Sequence, residues 1–269
     1  MVTFLMIMGL VALVVYKFQK EVREGYQYAG RKAAPVKSRI LPVPPQYRQI
    51  LQKYFTFYQK LSETNKLKFE RKVTEFVYSK RFIPRNVDEV TIEAKVLIAA
   101  SAVQLTFGLP NVYLRFFNKI LVYPNDYYSS ITRRYHKGEV NPRFGIIVLS
   151  WQSFIDGYIT PDDSRNLGLH EMAHALRFEN MIRSEDYPPY HSELLEEFDE
   201  YSQKVCFDPQ FKGQTFFRPY ACTNEHEFFS VAVENFFERS EDFKKKIPEL
   251  YHILTQLLAQ DPIELQKAA

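Results

Sequence analysis

The five residues His170-Glu171-Met172-Ala173-His174 constrain this chain more than any other part of it. Side chains four apart on an α-helix share one face, so the two imidazoles can offer nitrogen to a single metal ion. That geometry demands a helix, and the helix must be held firmly by a core. The flanking residues meet the demand, because Leu167, Leu169, Met172, Ala173 and Leu176 form an apolar set for burial. Glu171 lies one residue beyond the first histidine, within reach of water at the metal, whose proton it can accept. The pattern favours zinc, with His170 and His174 as ligands and Glu171 as general base. HExxH fixes only three positions, and the bland alternative is a helix carrying ordinary surface histidines. The amphipathic setting weighs against it.

Two histidines leave at least one protein ligand to find. The downstream TNEHEFF at 223–229 supplies Glu227 as the first choice, with Glu225 and Glu234 as competitors. Glu234 is seven residues later on roughly the same helical face. Spacing also allows a purely structural role: with Asn224 as N-cap, Glu227 stands at N3, where a glutamate closes a capping box. Tyr220, just before this helix, is a phenol able to stabilise an oxygen that gains negative charge. It is one of 18 tyrosines, and packing is the commoner fate of such a residue.

The periodicity around these residues predicts an α+β domain, mainly helical with a small sheet, over 46–269. Helices are expected at 46–61, from Ser62 or Thr64 towards Pro84, and at 90–105. Strands are expected at Lys119–Tyr123 and Gly145–Ser150. Backbone around Ile146 to Leu149 is a candidate for pairing with extended substrate. The histidine helix is expected over 161–178, capped by Thr160, with Pro161 in its first turn and Asp163 completing a capping box. A further helix should start near Thr223 or Asn224, burying Phe228, Val231, Ala232 and Phe236. Short pieces follow from Ser240 and, as the last helix, from Pro248 to about Ala259, which Asp261-Pro262 then ends.

Residues 1–18 read MVTFLMIMGLVALVVYKF, with no charge before Lys17. The 16 uncharged residues would span about 24 Å as a helix, against a hydrocarbon core of about 30 Å. A transmembrane anchor is expected here, in preference to a signal peptide or a soluble helix. A polar, proline-containing linker at 19–45 would then lead to the domain. Lys17, Lys20 and Arg23 after the span predict a single-pass protein with a cytoplasmic catalytic domain. The 35 basic and 32 acidic residues give a net charge of only +3, and no basic stripe interleaved with aromatics suggests direct nucleic-acid binding. Cys206 and Cys222 belong to no CxxC pattern, so two thiols are expected in preference to a disulfide.

Around the histidine motif the chain resembles the Mlc titration factor A family of zinc peptidases, over roughly Leu61 to Pro262. The resemblance rests on ILVYP at 120–124, VLSW at 148–151, LGLHEMAHALRFE at 167–179, YACTNEHEFFSVAVENFF at 220–237 and ELYHILTQLLAQDP at 249–262. It implies a zincin-like fold, zinc held by His170, His174 and Glu227, Glu171 as base and Tyr220 as a catalytic tyrosine. It also implies hydrolysis of short peptides, and by family resemblance alone a transcriptional repressor as a possible partner. Two alternatives to a zinc-dependent peptidase remain. One is a membrane-tethered regulatory protein-binding module with structural zinc; the other is a zinc hydrolase of non-peptide substrates.

Overall fold

The computed structural model describes residues 41–110, 114–129, 133–159, 164–182, 190–208, 210–211 and 216–267. The chain divides into a unit of residues 1–40 and one of residues 41–269, and the described residues all lie in the second. The expected membrane helix is corrected, and with it the single-pass location, the cytoplasmic placement and the membrane as partner. No helix among the described residues is long and apolar enough to cross a bilayer. The longest, Tyr190–Phe207, has 18 residues and carries five acidic side chains between Glu193 and Glu200, while the apolar Ile92–Thr106 has only 15; a span needs about 20 apolar residues. The segment that suggested the anchor, 1–18, lies outside the described residues, as does the linker up to residue 40.

The domain is α+β and mainly helical. It opens with α1 (Pro45–Tyr54), α2 (Thr56–Gln59) and α3 (Glu63–Ser79). The single helix expected over 46–61 breaks at Phe55, whose backbone is extended and whose ring is buried. Strand β1 (Arg81–Pro84) follows, then α4 (Ile92–Thr106). Thr91 caps α4 by accepting a hydrogen bond from the Ala94 amide at 3.1 Å. Twelve of the 15 residues of α4 are buried, which makes it the central helix of the core.

Beyond α4 come β2 (Lys119–Tyr123), β3 (Tyr127–Ser129), β4 (Arg134–His136), β5 (Gly138–Asn141) and β6 (Ile146–Ser150). The main sheet has the order β1-β2-β6-β5. Its first three strands run parallel, and β5 pairs antiparallel to β6, with Gly138 opposite Leu149. Strands β3 and β4 form a separate hairpin. The expectation that β6 pairs with substrate is corrected here: β6 lies between β2 and β5, which already use both of its edges. The edge strand on that side is β5.

Helix α5 (Trp151–Ile159) leads to α6 (Leu167–Ile182), the histidine helix. It starts six residues later than expected, because Asn166 is the cap, its side-chain oxygen accepting from the Leu169 amide at 2.9 Å. The Thr160, Pro161 and Asp163 expected to start the helix lie outside the described residues. Leu169, Met172, Ala173 and Ala175 are fully buried, and Leu167 and Leu176 pack at the core's edge. Each large apolar side chain buried this way contributes about 1.5–3 kcal/mol before entropy is counted. Helix α7 (Tyr190–Phe207), a 3-10 turn (Pro219–Thr223), α8 (Glu225–Glu238), α9 (Ser240–Lys246), α10 (Pro248–Leu257) and α11 (Pro262–Lys267) complete the domain. The helix from Pro248 does end before Asp261-Pro262, but it is not the last one: Pro262 opens α11, with Asp261 accepting from the Ile263 amide at 2.9 Å.

Candidate metal centre

Helices α6 and α8 pack together, and their contact brings the two halves of the site into one place. His170 and His174 project from α6 with their Nε2 atoms 3.2 Å apart. Glu227, in the first turn of α8, sets Oε2 3.1 Å from His170 Nε2 and 3.4 Å from His174 Nε2. These three side chains form a group able to hold a metal ion. Tetrahedral zinc with bonds of about 2.0–2.1 Å separates its ligand atoms by roughly 3.3 Å. The observed spacings of 3.1, 3.2 and 3.4 Å fit that triangle.

A second observation supports the fit. Glu227 Oε2 is buried and takes part in no hydrogen bond of acceptable geometry, despite its closeness to two nitrogens. An orphaned carboxylate oxygen is costly in a folded protein, and a cation at the shared point removes the cost. The electrostatics agree. Burial opposes a charge on His170, but the Glu227 and Glu234 carboxylates outweigh it and push the imidazole up to about 10. Burial likewise opposes the Glu227 charge, and the two imidazoles outweigh it, holding that carboxyl well below the usual range. The centre is built for positive charge between these groups.

The N-cap reading of this segment is half of the truth. Asn224 does cap α8, its side-chain oxygen accepting from the Glu227 amide at 3.0 Å. The Glu227 side chain, instead of closing the box, turns to the histidines. Neither competitor joins them. Glu225 approaches Arg177 at 3.4 Å, while Glu234 sits behind the site, with Oε1 2.7 Å from His170 Nδ1. A carboxylate on Nδ1 fixes the ring and leaves Nε2 as the donor for metal. Arg218 holds both oxygens of Glu234, at 2.7 and 3.1 Å, and the Asn166 amide donates to Oε2 at 2.8 Å. This support was missed in the sequence, where only the position of Glu234 on the same face as Glu227 hinted at it.

Glu171 is buried, and burial lifts its carboxyl above the ordinary range while the two histidines pull part of the way back. Its neighbour is the first residue of β5. A Cβ built on Gly138 would lie 2.4 Å from Glu171 Oε1 and 2.6 Å from its Cγ, so only glycine lets the edge strand approach this closely. Tyr220 lies on the 3-10 turn, about half exposed, with its ring centroid 6.2 Å from that of His170. Burial and then the Glu227 carboxylate push its phenol up to about 12, which keeps it a proton donor at neutral pH. Arg218 lies over the same ring, 5.7 Å from its centroid.

One covalent link corrects the sequence reading: Cys206, at the end of α7, is joined to Cys222 in the 3-10 turn. The two cysteines are far from any shared motif, and only the packing of α7 beside the turn brings them together.

Comparison with known proteins agrees with this geometry. The family model described as glucose-regulated metallo-peptidase M90 matches residues 29–258. An uncharacterized protein of Synechocystis sp. is 29% identical over 242 residues, covering 82% of this chain and 86% of its own. The Mlc titration factor A proteins of Yersinia pestis and Yersinia pseudotuberculosis are each 24% identical over 228 residues, covering 76% of this chain and 80% of theirs. The chain belongs to the glucose-regulated metallo-peptidase M90 family, together with Mlc titration factor A.

Proposed function

We propose that the domain is a zinc-dependent peptidase, with His170, His174 and Glu227 holding the metal, Glu171 as general base and Tyr220 as oxyanion donor. The observation that carries the reading is the triangle of donor atoms with the orphaned Glu227 oxygen at one corner. When bound, zinc supplies Lewis-acid polarisation of a carbonyl and lowers the pKa of water. Glu171 takes the proton of the attacking water and returns it to the departing amine. Its burial favours this traffic, because the protonated form costs less there than in water. The Tyr220 phenol donates a hydrogen bond to the carbonyl oxygen as negative charge develops. Glu234 and Arg218 keep the His170 ring turned towards the metal. Strand β5 is the edge of the main sheet among the described residues and starts beside Glu171, where an extended peptide would add as a further strand.

A second reading is a regulatory protein-binding module with structural zinc. Family membership and the metal-binding group serve it equally well, and the relatives' name, a titration factor, favours it. A zinc hydrolase of other substrates is its variant. A peptide-library assay on purified protein of known zinc content separates them. The peptidase account expects cleavage by the native protein and its loss in Glu171→Gln with zinc retained. Unchanged cleavage in that variant rejects Glu171 as base, and absence of cleavage by zinc-loaded native protein favours the binding module.

A further inference from the structure

Tyr220 stands on a short element anchored on its near side by Arg218, which is bonded to both oxygens of buried Glu234. Its ring is about half exposed, and the 3-10 turn carrying it has five residues, of which only Ala221 is buried. Local hydrogen bonds run within the turn itself: the Ala221 amide donates to the Arg218 carbonyl at 2.9 Å, and the Thr223 hydroxyl donates to the Tyr220 carbonyl at 2.8 Å. The tie on the far side is two residues further on, where Cys222 is bonded to Cys206 of α7. Helix α7 is in turn clamped to the histidine helix, because Asp199 accepts two hydrogen bonds from Arg177, at 2.9 and 2.7 Å. A covalent path thus runs from the Tyr220 turn to α7, and a charged clamp continues it to the element bearing His170 and His174. Cys222 is exposed and Cys206 half-buried, so a thiol reagent can reach the link.

We propose that Cys206 and Cys222 are positioning residues for Tyr220, and that their disulfide is a reducible lock on the phenol's place beside the metal centre. The inference rests on the reading of Tyr220 as oxyanion donor. Reduction requires a dithiol. Its thiolate attacks one sulfur, the other leaves as thiolate, and the second thiol closes the reagent's own disulfide. Two electrons and two protons pass to Cys206 and Cys222, and no group of the metal centre takes part. The freed turn then samples positions in which the phenol no longer meets the carbonyl oxygen. A donor misplaced by about 1 Å can cost a hundredfold in rate, so the effect belongs to kcat and not to substrate affinity.

The test compares the intact protein, oxidised and after treatment with dithiothreitol and removal of excess reagent, with Cys206→Ser/Cys222→Ser and with Tyr220→Phe. Zinc content, kcat and KM are measured on each, with hydrogen exchange of the 220–223 amides. The expected result of reduction or of the double serine variant is a fall in kcat of about 10- to 100-fold, with KM and zinc content unchanged. Exchange should rise in the turn and not in 167–182, and reoxidation should restore the rate. In a Tyr220→Phe background, reduction should lower kcat no further. A merely structural disulfide would instead lower zinc content or raise KM, and would act equally with or without the phenol; that pattern overturns the proposal, as does unchanged exchange in the turn. If the oxidised native protein cleaves nothing, the peptidase reading fails on its own, while the exchange measurement still decides whether the bond holds the turn.

Discussion

Gly138 and Glu171 share a space too small for one more methyl group: a Cβ on residue 138 would sit 2.4 Å from the Glu171 carboxylate oxygen. The sheet edge and the residue proposed as base are therefore packed directly against each other. The atoms in the way belong to a side chain, so Gly138→Ala should leave the fold intact and displace Glu171. Zinc content should be unchanged and kcat should fall about a hundredfold, the cost of misplacing a reacting group by about 1 Å. Wild-type turnover in Gly138→Ala would show that the base has room to spare.

Glu234 is buried against His170 Nδ1 and neutralised by Arg218. Glu234→Gln should weaken zinc binding about 10- to 100-fold, as loss of such outer partners generally does. Competition with a fluorescent chelator measures it. Equal affinity in the two proteins would mean that the ring needs no carboxylate to orient it.

Away from the site, Lys72 is buried and donates to the Leu109 carbonyl at 2.8 Å. Burial holds its ammonium down to about 8, below the ordinary lysine value. Below pH 8 both folded and unfolded chains carry this charge, and the fold bears the full penalty. Between pH 8 and the ordinary value the unfolded chain binds more protons, so stability rises with pH. Urea unfolding should show wild type gaining roughly 1–2 kcal/mol on Lys72→Met between pH 7 and 9.5. Parallel profiles would remove Lys72 from the account.

The parts legible in the sequence are those with a long helical period. The apolar set at Leu169, Met172 and Ala173 and that at Phe228, Val231, Ala232 and Phe236 are buried as their spacing implied. Strands β1, β3, β4 and β5 have three or four residues each, too few for a period to emerge. Strand β5, reading GEVN, has little strand preference of its own and exists because β6 pairs with it. Helix α5 went unseen because its nine residues follow directly on β6. Glu227 was ambiguous for a physical reason: its backbone amide does serve the cap, and only the crossing of α6 and α8 turns its carboxylate towards the histidines. The Cys206–Cys222 pair is a product of tertiary packing alone, with no local signal to announce it.

The central claim concerns one cation shared by three side chains, and zinc K-edge absorption on the metal-loaded protein addresses it most directly. The account expects one zinc per chain, two imidazole nitrogens and a carboxylate oxygen at about 2.0–2.2 Å, and a remaining position occupied by solvent. Glu227→Ala should lose the oxygen ligand and most of the affinity. A shell containing sulfur, or full zinc occupancy with an unaltered spectrum in Glu227→Ala, would contradict it.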